Sequence, residues 1–343
     1  MRQAVIFSFS RRGGKTACQV AEVLREEYEV FLYAPEKYAG NEIQALPEKT
    51  GSFTGKLFDS AEALVYVGAC GIAVRAIAPY VKSKTKDPAV ICVDECANFC
   101  IALLSGHIGG CNRLTKQIGA AIGATPVITT ATDVNRKFAV DQWAAEQGYL
   151  IGSMDMAKEV SAAILEQDVP FAADASVCGS LPQGLCAANG NNTSIGILVS
   201  VYRKKPFEKT LAIIPPVLTL GIGCRRGTSS EAIARAVEMI FAEHQLDFRA
   251  VKKVASIDLK AEEQGLLLFC ENNHLPVTFY TAEQLLAVEG SFTGSDFVRS
   301  ITGVDNVCER SAAAEGGHLI VQKTSCDGVT VAVAERDWEI HFG

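Results

Sequence analysis

The sequence predicts an α/β protein with several domains, the first of them built on a mostly parallel sheet. Short apolar strands alternate with amphipathic helical segments through the first half of the chain. A stretch at 174–194, rich in glycine, serine, asparagine and alanine, interrupts this alternation, and a new strand–helix unit begins at Val217. Strands that alternate with helices form parallel sheets covered by helices on both faces. The 343 residues suffice for two or three domains.

The first half contains six predicted strands and four predicted helices. The strands are Ala4–Ser8, Val30–Tyr33, Ala63–Val67, Ala89–Val93, Phe99–Leu104 and Pro126–Thr130. The helices are Thr16–Glu27, a segment from Ile72 to Ile77, Asn112–Ile122 and Val140–Gln147. Apolar residues at helical spacing indicate the helices, and Gly123 ends the third of them. We place an N-terminal α/β domain at residues 1–134.

The second half contains a small middle region, 135–210, and a separate α/β domain, 217–343, with a linker near 204–217. Its predicted strands are Ser194–Tyr202, Val217–Ile222, Val277–Tyr280, Leu319–Gln322 and Val329–Ala334, the last two as an antiparallel pair. Leu259–Asn272 reads as one helix. Thr228 with Glu231, and Thr281 with Gln284, have the spacing of capping boxes.

Composition narrows the class of partner. The net charge is −7, which argues against nucleic acid or an anionic membrane surface as a partner. An anionic small molecule would need a local cluster of basic groups. No apolar run approaches the ~18 residues of a membrane span, and the N-terminal run is too short for a signal peptide, so we expect a cytoplasmic protein.

Three of the twelve cysteines, Cys92, Cys96 and Cys100, are regularly spaced. Thiolates at such spacing bind zinc or iron–sulfur clusters in some proteins. The chain contains no CxxC pair, however, and a strand–turn–strand segment would scatter these thiols. Burial in the core is therefore the favoured interpretation, and we expect no metal site.

The segment Ser8–Thr16 ends in Gly-Lys-Thr and suggests a phosphate-binding loop. Such a loop needs a glycine where this chain has Phe9, so an ordinary turn is favoured. Arg11, Arg12 and Lys15 beside a helix N-terminus would still attract an anion. Nucleotide-dependent transfer therefore stays open as an alternative function.

The segment Ser105–Asn112 follows a predicted strand and precedes a helix. Ligands bind at this end of strands in parallel sheets. Gly106, Gly109 and Gly110 allow close approach to the backbone, and His107 titrates in the range suited to proton transfer. Ser105 and these glycines are candidate substrate contacts. The alternative is that local backbone groups simply satisfy His107.

Three carboxylates follow other predicted strands. Asp94 and Glu95 are a candidate base pair or a solvated turn, and Asp133 is a candidate substrate contact or a helix N-cap. In a parallel sheet, Glu95, Ser105 and Asp133 would share one edge.

The segment Gly221–Thr228 is the second glycine-rich turn between a strand and a helix. Arg225 and Arg226 beside a helix N-terminus favour an anion site, with Thr228 as a further contact. A solvated basic turn is the alternative.

These segments together resemble the cobalt-precorrin-5A hydrolases of anaerobic cobalamin biosynthesis. The similar segments of the first domain are Gly71–Pro79, Asp87–Val90, Val93–Glu95, Leu103–Gly110 and Ala124–Val134. Those of the last domain are Gly221–Thr228, Ser256–Lys260, Phe292–Gly294, Gly303–Val304 and Val307–Glu309. The resemblance keeps the family order and covers most of the chain, less so about 135–210.

The resemblance implies a hydrolase that opens a δ-lactone of a cobalt-corrinoid precursor and releases acetaldehyde. The macrocycle carries many carboxylates, for which Arg75, Arg225 and Arg226 are the best-placed cations. Asp94, Glu95 or His107 would activate water, and amides near Gly106–Gly110 would bind the oxyanion. Cobalt belongs to the substrate, so no protein cofactor is expected. A tetrapyrrole carrier without catalysis is the other alternative, and dimerisation is left open.

Overall fold

The computed structural model describes residues 2–83, 86–107, 109–190 and 194–342, and the side chain of Phe297 is excepted. The chain divides into two compact units, Met1–Trp143 and Ala144–Gly343. The first unit extends nine residues beyond the predicted boundary at 134, and the rest of the predicted middle region falls in one unit with the predicted C-terminal domain. No helix of the described residues is both long enough and apolar enough to cross a bilayer.

The first unit is built on a seven-stranded sheet in the order β3-β2-β1-β4-β5-β6-β7. The strands are β1 Arg2–Ser8, β2 Tyr28–Ala34, β3 Ile43–Ala45, β4 Ala63–Val67, β5 Ala89–Val93, β6 Phe99–Leu104 and β7 Thr125–Val127. The helices are α1 Arg11–Leu24, α2 Thr50–Leu57, α3 Cys70–Ile77, α4 Cys111–Ile122, α5 Ala131–Val134 and α6 Val140–Glu146, with a 3₁₀ turn at Glu36–Tyr38. The predicted α/β class with a mostly parallel sheet is confirmed.

Helices cover this sheet on both faces. Val65 of β4 packs in a core with Val20 of α1 and Leu114 of α4, whereas the adjacent Tyr66 packs on the other face with Ala73 of α3. Alternate residues of a strand point to opposite faces, so a strand buried on both sides is apolar throughout. This is the reason that β4 and β5 read as continuous apolar runs.

The sheet reverses direction between β5 and β6. β5 pairs in parallel with β4 but antiparallel with β6, and β6 pairs in parallel with β7. The carboxyl ends of β6 and β7 therefore lie at the edge where β5 begins, as the hydrogen bond from Ser105 Oγ to the Asp87 carbonyl (2.8 Å) shows. The expectation that Glu95 shares one edge with Ser105 and Asp133 is wrong.

The second unit contains two larger sheets and one two-stranded sheet. The first has the order β11-β9-β12-β13-β8, the second β16-β15-β14-β18-β17, and β10 pairs with β19. The strands of the first larger sheet, together with β10, are β8 Leu150–Ile151, β9 Val169–Ala173, β10 Ser176–Cys178, β11 Leu185–Ala187, β12 Ile195–Val199 and β13 Lys209–Ile214. The others are β14 Leu218–Cys224, β15 Val251–Ile257, β16 Val277–Tyr280, β17 His318–Cys326, β18 Val329–Glu335 and β19 Glu339–His341. The helices are α7 Met154–Glu166, α8 Ser230–Glu243, α9 Gln264–Asn272, α10 Ala282–Leu286, α11 Asp296–Thr302 and α12 Val307–Ala313.

Several local predictions for this unit need correction. The predicted linker near 204–217 contains β13, so only Pro215–Val217 separates the two larger sheets. The segment 259–272 is a 3₁₀ turn, Asp258–Lys260, followed by α9. The capping box of α10 is present, and β17 pairs antiparallel with β18 as predicted.

The N-cap of α8 is Ser229 rather than Thr228. The Ser229 hydroxyl accepts a hydrogen bond from the Ala232 amide, whereas the Thr228 hydroxyl donates to the Arg225 carbonyl (2.8 Å). The threonine hydroxyl is used in closing the preceding turn, so the cap moves one residue along the chain.

Gly221 permits the closest approach between a helix and the C-terminal sheet. A Cβ at this position would lie 1.9 Å from the Cys308 carbonyl oxygen of α12. We expect Gly221→Ala to lower the free energy of unfolding by about 1–3 kcal/mol or more, because backbone must move to admit the methyl group. Urea unfolding followed by Trp338 fluorescence, in a Trp143→Phe background, measures it.

Gly294→Ala is the matched control, because no atom lies within 4 Å of its would-be Cβ. Its unfolding free energy should change by less than about 0.5 kcal/mol. Equal effects of the two substitutions would contradict the packing argument.

Candidate functional site

The loop that carries His107 is tightly constrained. Ser105 has a left-handed backbone (φ 60°), and a Cβ on Gly109 would lie 2.4 Å from the Ser105 Cβ. Only glycine fits at position 109, which explains part of the glycine-rich pattern. Ile108 lies outside the described residues. The loop holds His107 at the edge formed by the carboxyl ends of β6 and β7.

His107 lies between two aspartates. Its Nε2 is 3.2 Å from Asp133 Oδ2, and its Nδ1 is 3.2 Å from Asp141 Oδ1. The Thr132 hydroxyl is also 3.2 Å from Nε2. The side chains of His107, Asp133 and Asp141 are only 16%, 15% and 9% exposed. Two carboxylates therefore face the two ring nitrogens in a largely buried setting.

This arrangement favours the protonated imidazole. The hydrogen bond with Asp141 is the main cause that raises the pKa of His107, and it outweighs the opposite effect of burial. Asp133 adds to the increase. A cation with both nitrogens engaged is a poor base, so these surroundings do not favour His107 in the predicted role of the base.

Asp133 is held by four neighbours. Its Oδ2 accepts from Asn112 Nδ2 (2.9 Å) and the Thr130 hydroxyl (2.8 Å) besides facing His107, and its Oδ1 pairs with Lys116 (2.9 Å). Burial alone would raise the pKa of Asp133, but the hydrogen bonds from Lys116 and Thr130 lower it below its ordinary value. Asp133 is thus an ionised anchor for His107 rather than a helix N-cap, a position that Thr130 occupies.

Asp141 is the functional candidate that sequence reasoning missed. It lies in the first turn of α6, where an acidic residue is common because of the helix dipole. The only signal was its position eight residues after Asp133. Nothing in the pattern distinguishes a carboxylate that serves the helix from one that also faces a histidine.

Three backbone amides at the junction of the loop and α4 donate hydrogen bonds within the segment. The amide of Gly110 donates to the His107 carbonyl, that of Cys111 to the Ser105 carbonyl and that of Asn112 to the Gly106 carbonyl. These three amides are unavailable for an oxyanion, but only that of Gly110 belongs to the predicted Gly106–Gly110 set, so an oxyanion role for the remaining amides stays a prediction. Gly106 and Ser105 still line a cavity, but Gly109 and Gly110 shape the loop instead.

That cavity has a volume of about 300 Å³ and opens beside the histidine. Its lining residues are Ser105, Gly106, His107, Thr130, Ala131, Thr132 and Asp141. It is lined by hydroxyls, one imidazole and one carboxylate. Such a set can hold water and move a proton.

Asp94 and Glu95 do not join this cavity. Asp94 Oδ1 accepts from the Cys96 amide (2.9 Å) and Asn98 Nδ2, and its Oδ2 accepts from the Phe99 amide (2.6 Å). Glu95 accepts from the hydroxyl of Ser10, 2.5 Å away. Asp94 therefore builds the turn between β5 and β6, and both acids lie at the sheet edge opposite His107.

The second unit contains a larger cavity of about 740 Å³ beside the carboxyl end of β14, here called the basic pocket. Four cationic residues line it: Arg225, Arg226, Lys260 and Lys323. Its apolar lining comes from Ile257, Val298, Ile301, Val307 and Val329. No carboxylate is among its lining residues in the part of the chain that the structure describes. The pocket suits an anionic ligand with a large apolar face.

Arg225 and Arg226 remain the candidate anion-binding residues of the basic pocket. Among the described residues, no carboxylate lies within ion-pairing distance of Arg225 or Arg226, whereas Lys260 pairs with Glu263 at 3.1 Å. Gly227 (φ 74°) and the Thr228 hydroxyl close the turn beneath them. Thr228 is thus a supporting residue and not a lining one.

Arg75 lies elsewhere. It is an exposed residue of α3 in the first unit, and its guanidinium donates to the Gly71 carbonyl of its own helix (3.2 Å). Arg75 is not among the residues that line the basic pocket of the second unit, and its expected contact with substrate carboxylates stays a prediction.

The other predicted alternatives fit the structure poorly. Ser10 caps α1 and Arg11–Gly14 already lie in its first turn, so this segment is no phosphate-binding loop. Cys92 and Cys100 are buried, whereas Cys96 is exposed, and these three form no metal-ligand cluster among the described residues.

Comparison with known proteins decides the family. A protein from Priestia megaterium named cobalt-precorrin-5A hydrolase is 30% identical over 351 residues, covering 96% of this chain and 94% of that protein. Another of that name, from Salmonella typhimurium, is 34% identical over 291 residues, covering 80% and 82%. The chain belongs to the cobalt-precorrin-5A hydrolase family.

Family models agree with this membership. Models described as cobalamin synthesis G N-terminal and cobalamin synthesis G C-terminus match residues 52–133 and 218–334. A solved structure of a cobalamin biosynthesis protein G homolog from Sulfolobus solfataricus is 20% identical, covers 98% of each chain and has a TM-score of 0.43. The resemblance seen in the sequence is confirmed. For this hydrolase family member, His107 and Asp133 lie within the N-terminal match, and Arg225 and Arg226 within the C-terminal one.

The pKa of His107 is directly testable. We expect its ring to titrate above the ordinary value of about 6.5 and Asp141→Asn to lower that pKa. Because folding raises the pKa, protonated His107 stabilises the chain below pH ~6.5, and this stability is lost as pH rises through the folded-state pKa. NMR titration of isotope-labelled histidine measures the effect, with the resonance assigned through His107→Asn.

Glu95→Gln is the control, since Glu95 lies at the other edge of the sheet. It should leave the His107 titration unchanged. A His107 pKa at or below the ordinary value in the unmodified protein would refute the paired-aspartate account.

Proposed function

We propose that this chain hydrolyses the δ-lactone of cobalt-precorrin-5A, the substrate for which its relatives are named, and releases acetaldehyde. The observation that carries the proposal is the basic pocket of the second unit. Family membership supplies the substrate class, and the pocket provides a binding surface of matching chemistry.

The basic pocket fits a polycarboxylate macrocycle in size and charge. Its volume of about 740 Å³ is at the upper part of the range of ligand cavities, roughly 300–1,000 Å³. The apolar lining would contact the face of the ring, and the lysines and arginines would bind peripheral acetates and propionates. A chain with net charge −7 needs such a local concentration of cations to attract an anion.

The proposed reaction has two steps. Water attacks the lactone carbonyl and the ester C–O bond breaks, which leaves a carboxylate and a hydroxyl on the methyl-bearing carbon. Loss of the hydroxyl proton then breaks the bond between that carbon and the macrocycle, and acetaldehyde leaves while the electron pair enters the conjugated ring. Cobalt arrives with the substrate, and the proposal includes no protein cofactor.

Both steps need a group that accepts a proton. Asp141 is the best candidate, because among the described residues it is the one carboxylate that lines the cavity beside His107. His107, fixed by Asp133, orients Asp141 in the cavity. Asp141 thus takes the role of the base, for which the sequence had suggested Asp94, Glu95 or His107.

The first functional prediction concerns the basic pocket. Arg225→Ala combined with Arg226→Ala should weaken macrocycle binding, since each charge-assisted contact contributes about 1.5–3 kcal/mol, or roughly ten- to a hundredfold in Kd. Equilibrium binding of the cobalt-precorrin measured by its visible absorbance tests this, and the defect should be larger at low salt.

A variant of equal charge serves as control. Arg235→Ala with Lys252→Ala removes the same two positive charges from exposed positions outside the pocket. Binding by this control should stay within about threefold of the unmodified chain. An equal loss of binding affinity in both double variants would mean that the effect comes from net charge alone, and it would refute the pocket assignment.

The second functional prediction concerns proton transfer. Asp141→Asn and His107→Asn should each lower acetaldehyde release by about 10²–10⁴ while macrocycle binding survives. Glu95→Gln should retain normal release. Acetaldehyde release is measured with a coupled assay in which the released aldehyde is reduced, and macrocycle binding is measured at equilibrium. Thermal melting establishes that each variant is folded.

The outcomes separate the alternatives. Binding without any acetaldehyde release in the unmodified chain would favour the carrier. Full activity of both the Asp141 and His107 variants would exclude this cavity as the site of proton transfer and leave Glu95 as the candidate base.

A further inference from the structure

Three potential metal ligands meet on the two-stranded sheet of the second unit. Cys178 lies on β10, and Glu339 and His341 lie on β19. One ligand atom from each of the three falls within 4.8 Å of both others, the sole such group found among the described residues. None of them belongs to the basic pocket.

Strand register brings these side chains together. β10 and β19 are parallel, and Cys178 pairs with His341. Residues two apart on a strand share a face, so Glu339 projects on the same side as His341. The Cys178 thiol is 3.1 Å from Glu339 Oε2, which is in turn 3.7 Å from His341 Nε2.

The opposite face of β19 is firmly anchored. Ile340 is fully buried, and the ring of Phe342 contacts that of Phe171 edge-on at a centroid distance of 5.2 Å. The backbone that carries Glu339 and His341 is therefore fixed by packing, while the ligands themselves face solvent, where an ion can enter.

We propose that Cys178, Glu339 and His341 form a binding site for a divalent transition metal ion such as Zn²⁺. Thiolate, imidazole and carboxylate are the three ligand types of zinc, with the ligand atoms about 2.0–2.3 Å from the ion. Ligand atoms arranged tetrahedrally at that distance lie roughly 3–4 Å apart, as do the Cys178–Glu339 and Glu339–His341 pairs. The thiol and imidazole exclude Mg²⁺ and Ca²⁺, which prefer oxygen ligands.

The bound ion would complete its coordination with water and join two distant parts of the chain. Cys178 and Glu339 are 161 residues apart, so the ion would close a long loop. A two-stranded sheet is marginal by itself, and a cross-link between its strands would stabilise it.

Titration of the reduced, metal-free chain with Co²⁺, in the absence of any corrinoid, tests the proposal. One equivalent should give a thiolate-to-cobalt charge-transfer band and visible d–d bands of a tetrahedral site, and Zn²⁺ should abolish both. Cys178→Ser should remove the charge-transfer band, and His341→Gln should weaken binding by more than the roughly 10–100-fold typical of losing an outer-sphere contact.

Cys96→Ser and His244→Gln are the matched controls, because each removes an exposed cysteine or histidine elsewhere. Both should bind Co²⁺ as the unmodified chain does. Zn²⁺ should also raise the melting temperature of the unmodified chain but not of Cys178→Ser, whereas the two should melt alike without metal. A band that persists in Cys178→Ser, or equal Zn²⁺ affinity in that variant, would overturn the site.

Discussion

Asp94 stabilises the turn at which the chain reverses direction between β5 and β6. The position of the cavity beside His107 follows from this reversal. Its carboxylate accepts hydrogen bonds from two amides and one side-chain amide of the turn, so β6 runs back along β5. The carboxyl ends of β6 and β7 consequently lie at the edge where β5 begins. His107, Asp133 and Asp141 are brought together at that edge, away from Glu95.

The sequence predicted elements far better than their relative direction. Periodicity and glycine stops placed α4 and its end at Gly123, and the Thr281–Gln284 capping box was found as expected. In sequence, an aspartate after a strand reads equally as a base or as a turn former, which is why Asp94 was assigned to the site. The five residues between Ala89–Val93 and Phe99–Leu104 are too few for the crossover that parallel neighbours need, so the antiparallel pairing of these two strands could have been inferred from the predicted elements.

The candidate sites were predicted only where their residues are neighbours in the sequence. Arg225 and Arg226 were predicted from local chemistry, because neighbouring basic residues in a glycine-flanked turn remain neighbours in space. Lys323 reaches the same pocket from β17, almost 100 residues away, and only the folded sheet places it there. Asp141 was missed for a related reason, since its significance comes from His107 and not from its own surroundings in sequence.

Glu309 explains how the basic pocket stays basic. This buried carboxylate accepts hydrogen bonds from the Thr293 amide and hydroxyl, Asn306 Nδ2 and the Lys323 amide, all of them neutral donors. A buried carboxylate satisfied in this way needs no cation as a partner. It ties together the 293 loop, α12 and β17, three segments around the pocket, while the ammonium of Lys323 stays available to the lining. The same residue thus fixes the pocket wall without neutralising the charge that would bind an anion.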